Sequence, residues 1–334
     1  MATARNRAID RIRREQTLAR KTQLLARAEQ LPDDEEDVIP DERLELIFAC
    51  CHPALAAEAQ VALTLSLVGG LTTAEIAQAF IVPEPTLAQR LVRAKRKIRD
   101  AGIPLRVPPE HLLPERLRTV LAAVYLIFNA GYGPPVRREL CAEALRLALL
   151  LATLMPDEPE VHGLHALVLL QDARRDARVS PDGRLVLLED QDRALWDDSE
   201  IAQGRLALER ALVLRMSGPY QLQAAIASLH TEEETDWREI ALLYSRLLDF
   251  TPSPVVELNR AVAVALAHGP AEGLALADAI EGLDDYYLFH STRADLLRRL
   301  EQHAAAATAY DRALQLAPSE VEREFLRGRL AALR

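Results

Sequence analysis

The stretch Leu71 to Ala101, LTTAEIAQAFIVPEPTLAQRLVRAKRKIRDA, constrains the fold more than any other, because its local signals dictate two helices and the break between them. Thr72 followed by Glu75 is a capping-box start: the hydroxyl takes an orphan amide at the helix entry and the carboxylate reaches back to the cap. A first helix is expected to run to about Phe80. Ile81, Val82 and Pro83 break it, since proline lacks an amide donor and biases the residue before it away from helical angles. A second helix starts near Glu84, with Pro85 tolerated in its first turn. Ile81 stands where many helix-turn-helix motifs carry glycine, and a β-branched residue resists positive φ.

In the second helix Leu87, Leu91, Ala94 and Ile98 fall on one stripe that can pack on Ile76, Ala77 and Phe80. The other side carries Thr86, Gln89, Arg93, Arg96 and Lys97, with Arg90 and Arg99 at its margins. Glu84 to Asp100 holds six bases and two acids, a balance suited to a polyanion. Residues early in such a helix reach base edges in a major groove, and longer basic ones further along meet phosphates. Thr86, Gln89, Arg90 and Arg93 are therefore expected at base edges or nearby phosphates, and Arg96 and Lys97 at phosphates. The plainer alternative is a basic face that is merely solvated.

A formal net charge of −10 argues against a nucleic-acid partner only until its distribution is read. Residues 1–101 hold fifteen bases and fifteen acids, and residues 102–334 hold 25 bases and 35 acids. Arg5 to Arg27 is basic, Asp33 to Glu45 acidic, and Arg90 to Arg99 basic again, so a polyanion would meet the basic segments. With 334 residues, rich in Leu, Ala and Arg and poor in aromatics, the chain is expected to be all-α and to hold two or three domains. It has neither an apolar run of membrane-spanning length nor a signal-peptide core, so a cytoplasmic protein is expected. Cys50, Cys51 and Cys141 offer no disulfide framework and no paired zinc spacing. A metal or thiol role for Cys50, Cys51 and His52 competes with core packing, which the stripe Leu44, Ile47, Phe48 and Cys51 favours.

Taken in order, residues 1–14 read as a short basic helix and residues 15–40 as a linker whose proline-bounded end is acidic. Helices are expected at Asp41 to Cys51 and Leu55 to Leu67, with Gly69 and Gly70 closing the second. These would brace the helix-turn-helix. The run DERLELIFACCHPALAAEAQVALTLSLVGGLTTAEIAQAFIVPEPTLAQRLVRAKRKIRDAGIP closely resembles region 4 of extracytoplasmic-function sigma factors, within the sigma-70 family. It is most similar to the group with a tetratricopeptide-like C-terminal extension. The resemblance implies that Leu71 to Ala101 binds the −35 promoter element and that the bracing helices bind the flap of RNA polymerase. TARNRAIDRIRR resembles the end of sigma region 2, whose upstream helices bind the polymerase clamp and melt the −10 element. Residues 1–14 then read as a remnant of region 2, residues 41–105 as region 4, and Met1 as an internal methionine of a longer reading frame. The acids Asp33 to Asp37 are expected to fold back on the basic helix and compete with DNA.

Residues 106–334 are expected to form a helical-repeat domain. LYSRLLDFTP at Leu243 to Pro252 aligns with AYDRALQLAP at Ala309 to Pro318, and Tyr244 and Tyr310 sit 66 residues apart, about twice the 34-residue tetratricopeptide period. Such units bury a core only by stacking on their neighbours, and the alternative is a plain helical bundle. Helices are expected near 114–130, 136–154, 159–178, 199–215, 221–230, 236–250, 254–268, 271–281, 286–301, 304–316 and 320–333. Ser180 to Trp196 interrupts them: Pro181, Asp182 and Gly183 signal a turn, and RLVLL reads as extended. The acids Glu189, Asp190 and Asp192 beside Trp196 suggest cation binding less well than a loop docked by a buried tryptophan. The resemblance makes this loop a signature of the extension, and Asp182, Arg184 and Trp196 are expected to dock the repeats against region 4 or polymerase. His162 and His165, three apart on one helix, have no further ligand in view. Without a glycine-rich phosphate loop, nucleophile motif or metal pair, no catalysis, cofactor or metal is expected. The function implied is promoter recognition with core RNA polymerase, regulated by the repeats or by their protein partner. The alternative is a protein-interaction scaffold with a vestigial DNA-binding domain.

Overall fold

A computed structural model describes residues 42–80, 82–133, 136–180 and 186–333. The expected region 2 remnant, the acidic linker and its fold-back lie outside these residues, as do Ile81, Asp182 and Arg184. Every regular element among the described residues is helical. None of these helices is long and apolar enough to cross a membrane. The chain divides into two compact units, Met1–Met155 and Pro156–Arg334.

In the first unit, α1 (Glu42–Cys50) opens with Glu42 and Glu45 near the positive end of the helix dipole. The next helix, α2 (Ala57–Leu67), is buried at every position from Gln60 to Leu67, as a helix without a polar face must be. Its polar side chains find partners indoors: Gln60 Nε2 donates to His52 O and Leu55 O at 3.1 and 3.0 Å, and Thr64 Oγ1 shares a 3.4 Å hydrogen bond with Cys51 Sγ. Gly70 takes φ of 73°, which turns the chain out of α2. The helix-turn-helix pair follows, α3 (Thr73–Ala79) and α4 (Glu84–Asp100), then α5 (Leu113–Tyr132) and α6 (Arg138–Leu154). α5 packs on both α1 and α2.

Two arginines tie these later helices to the earlier ones through carbonyls that a helix end leaves without partners. Arg116 of α5 donates to Phe48 O at 2.7 Å, and Arg146 of α6 donates to Val68 O at 3.1 Å while Glu143 grips it at 2.6 Å. The boundary expected between residues 105 and 106 thus falls inside the first unit, because α5 and α6 complete its core.

The second unit begins with α7 (Pro159–Asp172), followed by α8 (Asp198–Val213) and α9 (Pro219–Leu229). α7 packs closely on both. Two glycines allow this approach: a Cβ on Gly163 would sit 2.8 Å from Gln221 N, and one on Gly204 would sit 2.7 Å from Leu170 Cγ. The rest are α10 (Trp237–Phe250), α11 (Pro254–His268), α12 (Pro270–Asp278), α13 (Tyr287–Arg299), α14 (His303–Leu316) and α15 (Glu320–Ala331). From α10 onward each helix packs chiefly on its sequence neighbours, and the core separates into successive clusters, one around Ile240 and Leu247, another around Leu258 and Phe289, a third around Tyr310 and Leu326. The expected helix extending to Arg178 stops at Asp172, where the chain turns through a 3-10 segment, Arg175–Ala177, so that Asp197 N can reach back to Ala173 O at 2.8 Å.

At that turn the Glu200 carboxyl is pushed up to about 7 from 4.5, chiefly by burial and then by Asp172 and Asp197, with Arg175 opposing. A carboxyl raised on folding favours the protonated chain, so stability falls as pH rises from about 4.5 to about 7 and is level above. Glu200→Gln is expected to melt about 3 °C higher than the parent at pH 8, after discounting the shift for partial exposure. At pH 4 the two should coincide. Thermal melts across that window check the sign.

Candidate nucleic-acid interface

The capping box forms as the sequence requires. Glu75 N donates to Thr72 Oγ1 at 3.2 Å, and Thr72 N and Oγ1 donate to Glu75 Oε2 at 2.7 and 2.9 Å. After α3 the chain closes with Val82 N on Ala77 O, and Pro85 sits in the first turn of α4. Leu87, Leu91 and Ala94 are buried with Ile76 and Ala77, while Ile98 and Phe80 are half-buried at the margins. α4 packs on both α3 and α2. The apolar stripe thus fixes which way the basic side faces.

That side meets solvent. Gln89, Arg90, Arg93, Arg96, Lys97 and Arg99 are exposed, and Thr86 at the helix entrance is half-buried. Arg96 pairs with Asp100 at 3.1 Å, with both side chains in solvent, a contact worth little and easily exchanged for a phosphate. Sequence reasoning passed over Val92, which is 65% exposed. It lies one turn from Gln89 and Arg96 and puts a methyl-bearing side chain among the polar ones, where a thymine methyl is the complementary groove feature. Its signal was an apolar residue off the buried stripe.

The competing candidates resolve into packing. Cys50, Cys51 and Cys141 are buried, and none of them forms a disulfide among the described residues. Burial pushes the Cys51 thiol up to about 11 and Cys50 well above its ordinary value, which leaves both as inert thiols at neutral pH. The His52 ring accepts from Ala54 N at 3.1 Å and closes the turn after α1. The His162 ring shares a 2.8 Å hydrogen bond with Pro156 O, and burial lowers His165 to about 4. Trp196 is 8% exposed, with the Arg193 and Arg174 guanidinium groups 4.8 and 5.7 Å from its ring centre. Both arginines belong, like Trp196, to the second unit. Among the described residues no three His, Cys, Asp or Glu side chains are grouped to hold a metal.

Comparison with known proteins adds to this geometry. The family described as sigma-70, region 4 matches residues 45–98, which span α1 to α4, and a family of unknown function (DUF6596) matches residues 116–212. The chain is 43% identical over 343 residues to an uncharacterized protein of Rhizobium meliloti (strain 1021), covering 98% of this chain and 81% of that protein.

Proposed function

We propose, from the premise that the chain belongs to the family of that Rhizobium meliloti protein and carries a sigma-70 region 4 domain, that it recognises the −35 element of promoters for RNA polymerase. The observation that carries this reading is the exposed basic side of α4, held outward by a capped helix-turn-helix whose apolar stripe is buried. Arg93, Arg96 and Lys97 meet phosphates and displace counterions, while Thr86, Gln89 and Arg90 face the base edges. Within sigma-70 proteins we assign the chain to the extracytoplasmic-function group, and its second unit to a tetratricopeptide-like extension that regulates it. The packing of Tyr310 between the small residues Ala306 and Ala313 supports that assignment, as does a core divided along the chain. Those same successive cores favour one second reading, a scaffold that grips a protein partner.

Full-length protein titrated against promoter duplexes between 50 and 200 mM salt tests the first reading. The logarithm of affinity should fall against the logarithm of salt with a slope of about −3 or steeper, from three or more phosphate contacts. A slope near zero rejects phosphate binding and leaves the scaffold. Co-purification with core polymerase should accompany the steep slope.

A further inference from the structure

The second unit holds a cavity of about 370 Å³ bounded by α10, α11, α13, α14, α15 and the turn at Leu187–Glu189. That volume suits a small organic ligand. Most of its wall is apolar, including Leu187, Val262, Leu266 and Leu296 and the rings of Trp237 and Phe325. One charged group in the wall is deeply buried, Glu322, at 7% exposure. The Ser319 hydroxyl donates to its carboxylate, and among the described residues no cationic side chain forms an ion pair with it. The arginines of the wall are engaged elsewhere: Arg299 lies 2.7 Å from Asp295 and 3.9 Å from Glu189, and Arg329 lies 5.4 Å from the Phe325 ring centre.

We propose that this cavity binds a small amphipathic amine, its apolar body among the leucines and its ammonium against Glu322. A carboxylate buried without a countercharge is costly, and the first turn of α15 together with one hydroxyl offsets only part of that cost. An ammonium supplies the missing charge. An anion in the same place would face Glu322, Asp295 and Glu189, and the arginines nearest it already have partners. The turn at Leu187–Glu189, part of the signature loop, forms one wall, so an occupant would hold it in place. This inference stands apart from the DNA-binding reading.

Octylammonium, 1-octanol and octanoate share a chain and differ in the head, and calorimetry on the full-length protein discriminates among them. Octylammonium should bind one site about tenfold more tightly than octanol, with octanoate the weakest, the size of effect expected of one charge-assisted hydrogen bond. Glu322→Gln, which preserves shape and hydrogen bonding at the start of α15, should bring octylammonium within about twofold of octanol and leave octanol unchanged. Ser291→Phe, which fills the cavity from α13, should abolish binding of both, and Thr292→Phe is the substitute if that variant does not fold. Hydrogen exchange at 187–189 should slow when octylammonium binds. Equal affinity for the three heads overturns the proposal, as does a preference for octanoate, an absence of binding, or an ammonium preference that survives Glu322→Gln.

Discussion

Replacing Arg93, Arg96 and Lys97 together by alanine is expected to weaken binding to duplex DNA by about 10²- to 10³-fold near 100 mM salt and to flatten the salt slope by about 2 to 3 units. Each phosphate contact contributes about 0.9 to that slope, so three lost contacts fix both numbers at once. The fold should survive, because all three side chains are exposed and none belongs to the apolar stripe. Thr86→Ala and Gln89→Ala should behave differently. Proposed to lie at base edges, they should relax discrimination between promoter sequences and leave the salt slope alone. Val92→Ala should act with them, at positions where the preferred base carries a methyl. Fluorescence anisotropy with labelled duplexes over a salt series measures all of this, and a triple variant with unaltered affinity and slope would remove α4 from the interface.

That such an experiment can be drawn up owes much to how local the governing signals are. The capping box, the turn proline and the stripe Leu87, Leu91 and Ala94 each involve residues within a few positions of one another, so periodicity and helix-end chemistry specify them without knowledge of the rest of the chain. The helices of the second unit were legible for the same reason, bounded by prolines at 159, 219, 254 and 270 that stand in their first turns. Arg116 on Phe48 O and Arg146 on Val68 O are another matter. An exposed-looking arginine on an amphipathic helix carries no mark of a carbonyl some seventy residues earlier in the chain. The extent of the first unit was therefore hidden, while its basic helix α4 was plain. Glu322 was hidden likewise, since its burial depends on tertiary packing that no local pattern announces.

Glu160→Ala is expected to destabilise the second unit by about 3 kcal/mol and to lower its melting temperature by roughly 6–10 °C. The Glu160 carboxylate of α7 accepts from Tyr220 N at 2.9 Å, Gln221 N at 3.1 Å and Gln221 Nε2 at 3.1 Å. It thus caps α9 from another helix. Residue 218, the position that ordinarily supplies such a cap, is glycine, and a Cβ there would lie 2.2 Å from Glu160 Cδ. The two positions are therefore coupled by space: the carboxylate takes the place that a capping side chain at 218 would occupy. Gly218→Ser alone should destabilise, through that clash. In the Glu160→Ala background the clash is gone, and the new hydroxyl reaches the orphaned amides of α9, so the same substitution should restore about 1 kcal/mol. Glu160→Gln retains one acceptor and should lose less than Glu160→Ala. Urea unfolding of the four chains of this cycle settles the matter, and a serine that harms both backgrounds equally would mean that α9 owes nothing to Glu160 as its cap.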